Sequence, residues 1–240
     1  MLRRMNRATT ARPRQRGLSL VELMVGIAVG LFVVAAASML VSTQLNDNRS
    51  LLLETQLQQD LRAAADIITR ELRRAGHWQA AQQALAAAPV PAAANPHALL
   101  AKSATQPVVD GEPASEVRYQ LNSSTGVTGP FGFKHEGHAL KTLLAGAGWH
   151  ELTDPNTLHV TAFSVTPRFG PAMRLPCPQL CADGTADCWP TATVRELVVD
   201  IAGQSAVDAA VQRSLRTVVR VRNDWVRFHP DLGGQACPAT

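Results

Sequence analysis

Residues 14–41 read RQRGLSLVELMVGIAVGLFVVAAASMLV, and this stretch decides the fold. Between positions 18 and 41 stand 24 residues whose only charged side chain is Glu22. As a helix rising about 1.5 Å per residue they extend about 36 Å, against about 30 Å of bilayer hydrocarbon, so the segment can span. Six arginines and no acidic residue precede it: Arg3, Arg4, Arg7, Arg12, Arg14 and Arg16. That bias predicts a cytoplasmic N-terminus, with everything after Val41 emerging on the opposite face.

The same arginines account for the charge of the chain. Its 240 residues carry a formal net charge of +4, yet without those six arginines 17 basic side chains face 19 acidic ones. The body is mildly acidic and has no basic stripe for phosphates, which argues against a nucleic-acid partner. With 46% of residues hydrophobic and 18% charged, a disordered chain is excluded, and the length suffices for one substantial domain with an appendage.

Three readings compete for the apolar segment. It can be a plain single-pass anchor, or a secretory signal cut near Ala35, Ala36 and Ala37. Glu22 speaks against the signal, because a carboxylate in a spanning segment costs up to about 3 kcal/mol at the bilayer centre and calls for a partner, which a simple signal peptide does not give it. The third reading supplies one. Arg14, Gln15, Arg16 and Gly17, followed by Leu18, Ser19, Leu20, Val21 and Glu22 and an uninterrupted apolar helix, resemble the leader of type IV prepilins and of type II secretion pseudopilins. The resemblance implies cleavage after Gly17 by a prepilin peptidase on the cytoplasmic side, and methylation of the new N-terminal amine at Leu18. It also implies that Glu22 attracts the terminal amine of a neighbouring subunit during assembly. A positive amine and a carboxylate in low dielectric each relieve the other's burial cost. Leu18 stands where Phe or Met is more usual in the family.

Beyond the membrane the apolar positions become periodic. Leu53, Leu57, Leu61, Ala64, Ile68, Leu72 and Ala75 recur at intervals of three or four, while Glu54, Gln58, Asp60, Arg62, Asp66, Arg70 and Arg73 form the other face. Asp66 and Arg70 are spaced for an i,i+4 pair, and Gly76 is placed to stop the helix. No proline interrupts residues 18–75, and Gly26 and Gly30 lie where neighbouring helices can pack closely. The Arg-Glu-Leu-Arg-Arg-Ala-Gly run of residues 70–76 before His77 and Trp78 resembles the PilW-type minor pilins.

The Ala- and Pro-rich stretch 79–113 reads as a connecting loop within a globular part spanning 77–240. Strand signals follow at 117–121, 158–165, 194–201 and 215–222. A helix that must bury a leucine stripe, followed by strands with one apolar face each, predicts an α+β fold: the helix laid across an antiparallel sheet. This is the pilin-like architecture. It divides the chain into a leader (1–17), a membrane or filament-core helix (18–41), an amphipathic docking helix (42–76) and the periplasmic domain. Arg216, Arg220 and Arg222 are expected on the outer face of the last of these strands, solvated or meeting an acidic neighbour.

Cys177, Cys181, Cys188 and Cys237 do not follow a paired CxxC zinc spacing. The leader resemblance implies an oxidising periplasm, so two disulfides are expected instead, with three connectivities open. His135, Glu136 and His138, read as a loop, form a poor metal set. Asp183 and Asp187 lack the alternating spacing of a calcium loop. Trp78, Trp149, Trp189 and Trp225 are too dispersed for a stacking platform and are read as core or interface residues. Neither a Walker glycine loop, nor GxSxG, nor HExxH occurs, so no enzyme, cofactor or metal is expected.

The resemblance therefore implies a minor pilin of the bacterial inner membrane that helps to prime assembly of a type IV pilus at the cell surface. Implied partners are the prepilin peptidase, other minor pilins, the major pilin, the inner-membrane assembly platform and, before assembly, membrane lipid. A type II secretion minor pseudopilin shares the N-terminal pattern. A membrane-tethered adhesin, binding through the loop from Cys177 to Cys188, is the reading from a different class.

Overall fold

The computed structural model describes residues 17, 19–81, 94–122, 128–232 and 235–238. Leu18, residues 1–16, where the leader is expected, and residues 82–93 of the connecting stretch lie outside the described residues. The chain forms two units, Met1–Arg49 and Ser50–Thr240.

Helix α1 runs over Leu20–Arg73. Its first bond joins the Leu23 N–H to the Ser19 carbonyl at 3.1 Å, which puts a favourable capping residue at its start. Gly76 ends it with φ +73°, a left-handed conformation that a side chain would penalise. The carbonyls orphaned at this end are taken up one by one. Arg222 N–H donates to Arg73 O, Asn223 Nδ2 to Ala75 O and Asn95 Nδ2 to Gly76 O, at 3.0, 3.1 and 2.7 Å.

In the second unit the strands are β1 (Leu100–Ala101), β2 (Glu116–Tyr119), β3 (Phe131–Glu136), β4 (Ala139–Leu144), β5 (Gly148–Glu151), β6 (Leu158–Phe169), β7 (Met173–Arg174), β8 (Thr191–Thr193), β9 (Arg195–Ser205), β10 (Gln212–Arg220) and β11 (Trp225–Arg227). They pair antiparallel throughout, as a meander β1-β2-β3-β4-β5 and two three-stranded sheets ordered β10-β9-β6 and β11-β8-β7. The fold is the expected α+β one.

The stripe of α1 is the centre of the core. Leu57, Leu61, Ala64, Ala65, Ile68, Leu72 and Ala75 are buried with Val117, Tyr119, Phe133, Leu140, Val160, Val199 and Ile201 in one cluster, and Leu53 packs at its edge. Gly203 makes the close approach of helix and strands possible. A Cβ there would stand 2.5 Å from Leu158 Cδ1 and 3.5 Å from Leu61 Cδ2. Two links between layers add to this. Glu54 pairs with Arg213 of β10, and Glu71 accepts from the Tyr119 hydroxyl, whose pKa is pushed up chiefly by burial and then by that carboxylate.

Several expectations change. Arg70 lies 3.6 Å from Glu71, which also holds Arg74 at 3.2 Å, and not against Asp66. Stretch 79–113 is not loop throughout: Ala98 and Leu100 are buried and β1 joins β2. Residues 131–144 form the hairpin β3–β4, turned at Gly137 with φ +67°, where a loop was expected around the histidines. Replacing Leu61 by Ala is expected to lower unfolding stability by about 2–5 kcal/mol in denaturant titration of the detergent-solubilised chain. A smaller loss would mean that the stripe does not anchor the core.

Candidate functional site

Among its described residues the first unit carries an unburied apolar helix headed by a carboxylate. Every residue from Ser19 to Arg49 is exposed, including Leu20, Phe32 and Met39. An apolar surface of this extent marks a lipid or protein contact. Three of its hydroxyls are already satisfied: Ser38, Ser42 and Thr43 donate to Val34 O, Ser38 O and Met39 O at 2.8, 2.9 and 3.0 Å. In hydrocarbon no side-chain donor of these three residues would be left unpaired. Gly26 and Gly30, four apart, have no atom within 4 Å of where a Cβ would stand, so the backbone there is open to another helix. The helix runs unbroken through Ala35, Ala36 and Ala37 and offers no extended stretch for a signal peptidase.

Glu22 sits in the first turn of α1, where the positive end of the helix dipole favours a carboxylate. Gly17 is exposed, with no atom within 4 Å of where a Cβ would stand. A carboxylate at the helix head, a glycine five positions earlier and an apolar surface below them can dock one helix head on another.

In the second unit the cysteines are joined as Cys177–Cys237 and Cys181–Cys188, so the C-terminal tail is tied to the loop before β8. The histidines and acids that might have held a metal are otherwise engaged. His135 Nε2 lies 3.0 Å from Val160 O, and His138 stacks on His159 with ring centres 4.6 Å apart. Glu136 points to the opposite face of its strand and is bonded by Lys134 and Lys141, which hold its pKa low. Asp183 accepts from the Thr185 N–H at 2.9 Å, the first cause of its lowered pKa, and Asp187 pairs with Arg174. Among the described residues no group of three such side chains is arranged for a metal ion.

The four tryptophans are half-buried and none belongs to the core. Trp149 lies under Lys134 and Arg118, with the charges 4.6 and 5.5 Å from its ring centre. The arginines of β10 are mostly neutralised within the chain: Arg216 is bonded by both oxygens of Asp200, and Arg220 lies 3.8 Å from Asp224. Arg222 falls after the strand.

Sequence reasoning missed Arg195. It is only 2% exposed, and its terminal nitrogens donate to Ala98 O and, at 2.7 Å, to Asn223 O. Burial pushes its pKa down to about 10, with Asp224 partly opposing. A signal was present, since period-two alternation puts Arg195 on the inward side with Leu197, Val199 and Ile201.

Two family models match the chain. The model described as "Prokaryotic N-terminal methylation motif" matches residues 12–38, spanning Gly17, Leu18 and Glu22, and the one described as "Prepilin peptidase-dependent protein B" matches residues 50–221, more than half of the chain. The chain belongs to the prepilin peptidase-dependent protein B family. No curated protein and no solved structure matches it. Family and motif together make it a type IV pilin-like structural protein that depends on prepilin peptidase, with an apolar helix suited to membrane anchoring.

Within this family member the disulfides act on the globular unit and not on the anchor. Replacing Cys177 and Cys237 by Ser, which opens a link across 60 residues, is expected to cost about 4 kcal/mol by loop entropy. The pair Cys181 and Cys188, 7 residues apart, should cost about 2 kcal/mol. Urea titration of the two double variants in detergent measures the difference, and equal losses would remove the loop-entropy account.

Proposed function

We propose that the chain is a PilW-like minor pilin of a type IV pilus. As a precursor it sits in the bacterial inner membrane as a single pass, with the leader of residues 1–17 in the cytoplasm and the domain of residues 77–240 in the periplasm. Prepilin peptidase cuts after Gly17 and methylates the amine of Leu18. The helix of residues 18–41 then leaves lipid for the filament core, where Glu22 meets the ammonium group of a neighbouring subunit. The amphipathic segment 42–76 carries the domain into a complex with other minor pilins, the major pilin and the assembly platform, and this complex primes the filament. The observation that carries this reading is the methylation motif over residues 12–38, which falls on the part of α1 that is exposed at every residue from 20 to 49 and opens with Glu22 in its first turn.

The same head-to-head pairing would serve a type II secretion pseudopilus, and the genes adjoining this one separate the two. Those of a pilus cluster are expected, and secretion-channel genes would move the assignment.

Two measurements test the mechanism. The mass of the N-terminal peptide from membrane-extracted protein should correspond to a chain beginning at methylated Leu18. A start at Ser38, or an intact leader, would remove the filament reading. Glu22→Ala should leave membrane insertion unchanged and reduce incorporation into sheared filaments by about tenfold or more, the effect of an unpaired buried charge. Unchanged incorporation would count against pairing at Glu22.

A further inference from the structure

The four cysteines pair in a nested order. Cys177, the first in the chain, is bonded to Cys237, the last, across 60 residues, and Cys181 to Cys188 between them across 7. A flexible chain closes short loops more readily than long ones. By loop entropy Cys177 meets Cys188, eleven positions on, about tenfold more often than it meets Cys237. Cys188 in turn meets Cys181 only about twice as often as it meets Cys177. The local structure sharpens this competition. Strands β7 and β8 pair with Met173 opposite Ala192 and Arg174 opposite Thr191, and the Leu175 N–H donates to Pro190 O at 2.8 Å. Extended by two residues, that register sets Cys177 opposite Cys188, where a wrong bond would close the hairpin. A turn in which the Cys181 N–H donates to Thr185 O and the Gly184 N–H to Cys181 O favours the native inner pair, but it does nothing to bring Cys237 to Cys177. That tail follows β11, which joins the other edge of β8. In the finished fold Cys177 and Cys188 are buried, so a thiolate from outside reaches their bonds before the sheet closes and not after.

We propose that the chain reaches its native pairing by thiol–disulfide exchange and is a substrate of a disulfide isomerase. Oxidation comes first. A dithiol oxidant in its disulfide form takes two electrons and two protons from each pair of cysteines, in the order in which they meet. In a chain bonded Cys177–Cys188 and Cys181–Cys237, the isomerase thiolate attacks Cys177 Sγ and releases the Cys188 thiolate. That thiolate attacks Cys181 Sγ, forming the native inner bond and releasing the Cys237 thiolate, which displaces the isomerase from Cys177 Sγ. Two bonds end where two began, the isomerase thiolate is regenerated, and no electron is gained or lost. That these catalysts meet the chain as it emerges rests on the periplasmic domain proposed above, whereas the pairing problem belongs to the chain itself.

Full-length chain in detergent, reduced and unfolded in urea, is diluted into buffer containing a bacterial dithiol oxidant protein, with or without a disulfide isomerase, and alkylated at intervals. Cleavage after Leu180 and at the aspartates separates the four cysteines, so the masses of linked peptides name the pairs. With oxidant alone, about a third or more of the chains should carry Cys177 bonded to Cys181 or Cys188. With isomerase present this fraction should fall at least about threefold as the native pairs form. The double variant Cys181→Ser, Cys188→Ser leaves Cys177 a single partner, and there the isomerase should change neither rate nor yield, which separates exchange from assistance to folding. Native pairing reached equally well without isomerase, wrong bonds at Cys177 that the isomerase does not lower, or an equal benefit in the double variant would each overturn the proposal. The readout is independent of N-terminal processing: an intact leader would remove the pilin reading and leave this result standing.

Discussion

Burial of the α1 stripe is the constraint on which the rest of the structure depends. Leu57, Leu61, Ile68 and Leu72 are all but fully buried, and the strands that cover them contribute Val117, Phe133, Val160, Val199 and Ile201 to the same cluster. A side chain of this kind is worth roughly 1.5–3 kcal/mol when taken from water. No strand pair of the domain could secure that alone. Thirty residues earlier the same helix is as apolar and wholly exposed, so one continuous element carries a surface satisfied within the chain and another that only lipid or other helices can satisfy.

The end of α1 shows how the buried stripe is held in register. Helix carbonyls need partners, and those of Arg73, Ala75 and Gly76 receive them from Arg222, Asn223 and Asn95, residues on two separate segments. Arg195 binds the same two segments together by donating to Ala98 O and Asn223 O. Its positive charge sits near the negative end of the helix dipole, the favourable place for a buried cation.

The disulfides work at the periphery. They close the region of the short sheet β11-β8-β7, whose strands have two or three residues each and bury little. A covalent link substitutes for a core that such strands cannot build. The arginines of β10 do comparable service at a sheet edge, where Arg213, Arg216 and Arg220 blunt strand addition while being paired to acids of the same chain.

Much of this was legible in residues close together in sequence. The long apolar segment, the leucine stripe, the stop at Gly76 and the strands around Val117, Val160, Val199 and Val219 all follow from local composition and period, because each expresses the preference of one segment for one surface. The hairpin at Gly137 escaped because its alternation is broken by charged and glycine residues. The cysteine pairing, the carbonyl partners of Arg195 and the sheet order were decided only by the tertiary structure. Each depends on which groups distant in sequence come within a few ångströms of each other, and no local periodicity records the energy of such an encounter.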